Sequence, residues 1–185
     1  ADTGTAAVGT AAFAARRDHV HNLEAHGAAQ HTDITRTLYF AGADMEDGVT
    51  PAIKGSHGSA TFVFPIRSFA DGATQRVALS FQWPEWVKDG STATVRLIWG
   101  SPTVSAVGRW AYNVHQPAGA TPNAVTAGTT SATDSFTSSG TANRMVRSAF
   151  TTTFVVDTTA IGVRLNIERL AAEAADTLND IARLY

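Results

Sequence analysis

The stretch RVALSFQWP, residues 76–84, decides the fold. Val77, Leu79, Phe81 and Trp83 fall on one face of an extended chain, with Arg76, Ser80 and Gln82 on the other, and Pro84 ends the run. Side chains alternate across a strand, so this pattern predicts a β-strand with one buried and one solvated face.

The same alternation recurs on both sides of it. Val95, Leu97 and Trp99 repeat the pattern, as do Trp110, Tyr112 and Val114, and then Val163, Leu165 and Ile167. Thr61 to Phe69 and Ser148 to Val156 supply two more strands, the latter with Phe150 and Phe154 on one face, and Leu38 to Phe40 and Ile181 to Tyr185 suggest short edge strands. Short alternating runs broken by turn-formers, with no long amphipathic helix between them, predict an all-β chain: an antiparallel two-sheet sandwich of jelly-roll type. Ala171 to Leu178 has helical composition but few core-sized groups, and reads as a single turn or a short helix. Residues 118–143, made of Gly, Ala, Thr, Ser and Asn around Phe136, read as a long surface loop or a strand with a wandering connection.

Residues 1–37 differ from the rest. They hold four of the six histidines but only Val8, Phe13, Val20, Leu23 and Ile34 as large apolar groups, too few to bury a core. The expected organisation is an extended N-terminal trimerisation or attachment arm, 1–37, followed by a β-sandwich domain, 38–185.

Composition narrows the function. The 14 basic and 16 acidic residues leave a formal charge of -2, with Lys54 and Lys88 as the only lysines. No basic run offers a footprint for nucleic acid or an anionic membrane, and no apolar run approaches the roughly 20 residues of a membrane span. Without cysteine there is no disulfide, thiolate nucleophile or cysteine-bound zinc. Nucleophile-elbow, zinc-protease, phosphate-loop and dinucleotide motifs are missing from the sequence, so no catalytic residue is assigned and the chain reads as a non-enzyme. Asp44, Glu46 and Asp47, flanked by Gly42 and Gly48, could form a calcium loop or an acid pair but read as a solvated turn.

His19 and His21 project to one side of an extended strand. One chain cannot saturate a metal with two imidazoles, whereas three copies about a threefold axis would present six, a cage suited to Fe, Zn or Ni. Asp18 is placed to orient an imidazole. His26 and His31 are spaced too widely to join them, and His57, in Gly55-Ser56-His57-Gly58-Ser59, reads as a loop histidine. Among the tryptophans, Trp83, Trp99 and Trp110 fall on inward faces. Trp86 remains as a candidate glycan contact through ring stacking.

Gly9 to His21 (GTAAFAARRDHVH) resembles the lead-in of bacteriophage fibre proteins, a glycine-alanine stretch followed by an Asp-His-x-His element. Arg164 to Thr177 (RLNIERLAAEAADT) resembles the closing segment of β-sandwich domains in phage virion proteins, with Trp83 to Trp86, Ala93 to Trp99 and Trp110 to Val114 fitting the middle of that pattern. The resemblance implies a virion protein and an obligate homotrimer: a tail or head fibre attached to other virion proteins by its arm, some fibres binding metal through His-x-His on the threefold axis. It also leaves room for contact with a host surface glycan. A capsid decoration (cement) protein and a carbohydrate-binding module are the competing readings. Members of the group usually continue past the Leu-Tyr position with a glycine-initiated strand, while this sequence stops at Tyr185; either something else completes the edge or the chain is a fragment.

Overall fold

The computed structural model describes residues 35–48, 50–59, 61–117 and 130–185. The chain divides into two units, 1–39 and 40–185, and the second carries the sheets.

Ten strands run β1 (Glu46–Asp47), β2 (Ile53–Gly58), β3 (Val63–Phe69), β4 (Thr74–Phe81), β5 (Thr92–Gly100), β6 (Val107–His115), β7 (Thr130–Thr137), β8 (Val146–Val155), β9 (Val163–Leu170) and β10 (Ala182–Leu184). They form two five-stranded sheets, sheet A in the order β1-β4-β9-β6-β7 and sheet B in the order β2-β3-β10-β5-β8. All ladders are antiparallel. Consecutive strands from β3 to β6, and again from β7 to β10, alternate between the sheets. The interior orders β4-β9-β6-β7 and β3-β10-β5-β8 are those of a jelly roll, with β1 and β2 each extending one edge.

The alternation read in the sequence is the alternation observed. Val77, Trp99, Trp110, Tyr112, Val114 and Ile167 are at most 2% exposed and pack in one core with Phe69, Phe150 and Leu184. Trp110 anchors that core, meeting Trp99 edge-on at 5.6 Å and Phe69 at 5.1 Å between ring centroids. Phe150 and Phe154 both reach the core, and Tyr112 meets Phe150 at 4.8 Å.

Two charged side chains are also buried. Arg67 is fully enclosed, donating to the carbonyls of Gly42, Met45 and Ala52 and to the Asp47 carboxylate, so it ties the lead-in to β3. Arg169 is equally enclosed. Its guanidinium donates to both oxygens of Asp176, at 3.1 and 2.9 Å, and to the carbonyls of Phe69, Ala70, Leu178 and Asp180. A buried guanidinium is tolerated only when its donors are matched in this way.

Several local expectations are corrected. Residues 38–40 are not a strand; Phe40 instead packs on Phe81 at 5.0 Å. β10 is not at an edge but lies between β3 and β5, because Ala182 and Leu184 both belong to the core. Of the turn or short helix expected over residues 171–178, the structure has turns, with Asp176 engaged by Arg169. Of the two readings of the low-complexity stretch, the strand holds for Thr130–Thr137, with Ala132 and Phe136 packed against the core.

Candidate functional site

Because successive strands run in opposite directions, the connections between β3 and β10 fall alternately at two ends of the sandwich. At one end lie the β2–β3 turn, the β4–β5 (82–91) and β8–β9 (156–162) connections, and the described residues that follow β6, Gln116 and Pro117. The β3–β4, β5–β6, β7–β8 and β9–β10 connections share the other end. The body also begins at the first end, where Phe40 packs on Phe81, the last residue of β4.

Large apolar side chains left exposed are distributed unevenly between these ends. Phe62, Val63, Phe64, Trp86, Val155 and Ile161 all belong to strand termini or connections of the first end. Phe62 is 71% exposed and Ile161 65%. The opposite end contributes Ile53, Val104 and Met145 among the described residues. Isolated exposed apolar groups are ordinary, so it is their uneven distribution between the two ends that sets the first end apart.

The backbone beneath this end is firmly held. Gln116 is 7% exposed; its side-chain oxygen accepts from the Trp83 indole N–H and the Asp157 amide, each at 2.9 Å, while its amide donates to the Val155 carbonyl at 2.8 Å. One carboxamide thus joins three segments. Asp89 accepts from the Thr158 amide at 2.9 Å, binding the β4–β5 and β8–β9 connections together.

His19 and His21, with Asp18, His26 and His31, lie outside the described residues. Trp86 is 48% exposed on the β4–β5 connection, at the apolar end. His57 is corrected from loop to strand: it lies on β2, with Nδ1 2.6 Å from the Tyr185 hydroxyl and its ring edge-on to Tyr185 at 5.7 Å. Burial and the neighbouring Arg183 lower its pKa. The acids expected to cluster are separated by function. Asp44 accepts from the Ala41 amide, Glu46 pairs with Arg164 at 2.6 Å and Asp47 with Arg67 at 2.5 Å. Those arginines lower the pKa of Glu46 and Asp47. Among the described residues, no three His, Asp or Glu side chains gather in a group able to hold a metal ion.

The segment RLNIERLAAEAADT acquires a physical reading. Glu168 takes Arg76 through both carboxylate oxygens, at 3.0 and 3.1 Å. Arg169 takes Asp176, and the Thr177 hydroxyl accepts from the Val107 amide at 3.1 Å. The Arg169–Asp176 pairing was the main feature sequence reasoning missed; its signal was a charge inside an otherwise alternating strand, answered by an acid seven residues later.

These features define a jelly-roll β-sandwich with one apolar, well-braced end. No family model, curated protein or solved structure matches the chain.

Proposed function

We propose that the protein is a bacteriophage virion component: a homotrimeric fibre of tail or head, anchored by its N-terminal arm and displaying the jelly roll outward. The observation that carries this reading is the apolar end. Phe62, Phe64, Trp86 and Ile161 are exposed at the end of the sandwich where the body begins, as a surface covered by sister copies or a virion partner requires. The arm's sequence supports the same reading, because residues 1–37 carry too few large apolar groups to bury a core alone. His19 and His21 belong to this proposal as the metal ligands of the trimer axis.

Immunogold or cryo-electron imaging of purified particles, with densitometry of the band, tests the reading. A few tens of copies at the tail or at discrete head sites are expected. Hundreds of copies spread over the shell would replace the fibre with a decoration protein, and absence from the particle would contradict a virion role.

A further inference from the structure

The solvent face of sheet A carries a second surface of different chemistry. Outward positions there fall in cross-strand rows set by the register. One row runs Glu46, Ala78, Asn166, Asn113, Ser131, and the next Arg76, Glu168, Ala111, Thr133. The small side chain of Ala111 leaves a depression of about 130 Å³ between these rows, edged by Asn113, Asn166, Glu168, Ser131 and Thr133.

Three properties of the depression point to one kind of ligand. Asn113 and Asn166 stand directly opposite each other on β6 and β9, yet their carboxamides make no hydrogen bond to each other or to any described residue. Each therefore keeps two donors and an acceptor available. Glu168 is held by Arg76 through both oxygens, which fixes the carboxylate and neutralises it while leaving lone pairs for further donors. The Ala111 methyl supplies an apolar floor. An apolar floor ringed by two unengaged carboxamides and one fixed, charge-neutralised carboxylate matches a saccharide, whose ring has a C–H face and a rim of hydroxyls. The volume lies below the roughly 300–1,000 Å³ of an enclosing pocket, so the ligand lies on the sheet and is not engulfed.

We infer that the Ala111 depression on the outer face of sheet A is a binding site for a neutral glycan, with Asn113, Asn166 and Glu168 as its hydrogen-bonding groups. The inference stands on sheet A alone. Its failure would leave the virion proposal intact, and the reverse also holds.

The test uses the full chain labelled with ¹⁵N and titrated with glucose, galactose, mannose, N-acetylglucosamine and sialic acid, alongside a glycan array. At least one neutral sugar is expected to move the backbone amides of Ala111, Asn113, Thr133 and Asn166 saturably, with a Kd on the order of 1 mM for a single ring. Ala111→Leu, which fills the floor, and Asn166→Ala should each weaken that binding at least tenfold. Both positions face outward, and unchanged Trp99 and Trp110 indole signals would show the core intact. A silent panel and array, a response to sialic acid alone, shifts confined to the surroundings of Trp86, or binding undiminished in Ala111→Leu would each overturn the assignment.

Discussion

The Tyr185 hydroxyl lies 2.6 Å from Nδ1 of His57, joining the residue after β10 to a strand on the far side of β3. Phe64 packs edge-on against the same tyrosine at 6.2 Å, so His57, Phe64 and Tyr185 form one cluster on sheet B. The neutral imidazole can accept from the phenol with Nδ1, whereas burial and Arg183 disfavour its protonated form.

This cluster predicts an acid sensitivity. His57 has its pKa lowered from 6.5 by the folded state, so below that value the unfolded chain binds more protons than the folded one. The contribution of His57 to stability is therefore complete above pH 6.5 and is lost as the pH falls through its depressed folded value. Urea midpoints measured between pH 7.5 and 5 should fall for the native chain, and the part of that fall due to this residue should vanish in His57→Gln. An identical pH profile in the variant would contradict the assignment.

The clamp formed by Arg169 and Asp176 gives a second prediction. Asp176 is 1% exposed and receives the guanidinium, the Arg169-adjacent Leu178 amide and the Arg109 amide. Asp176→Ala leaves the buried Arg169 with only the half-exposed Asp71, 3.8 Å away, as counter-charge and should cost up to about 3–5 kcal/mol, whereas removing the exposed partner in Glu173→Ala, which pairs with Arg109, should cost at most about 1 kcal/mol. Chemical denaturation measures both. Equal losses would show that the buried pair does not hold the β9–β10 connection.

Much of the sandwich was legible because burial imposes a period of two on β4, β5, β6 and β9, and large residues such as Trp99 and Trp110 mark the inward positions. β7 was harder to read, since its inward side chains include Ala132 and its outward ones are Ser and Thr, giving little apolar contrast. β2 was obscured for the same reason: Gly55, Ser56 and Gly58 resemble a loop, and pairing with β3 makes them a strand. The placement of β10 depends on contacts with β3 and β5, residues distant in sequence. Of the apolar end, Trp86 could be found by exclusion from the inward pattern, but the grouping of Phe62, Val155 and Ile161 with it required the topology. The Asn113–Asn166 pairing depended on strand register and left no mark in the local pattern.

The central claim, that the apolar end and the arm bring three copies together, is tested most directly by light scattering of the intact chain at micromolar concentration. A mass three times the 19.4 kDa of one chain is predicted, falling toward one chain when Phe62→Ser and Ile161→Ser are combined. A native chain that stays at 19.4 kDa would contradict the account.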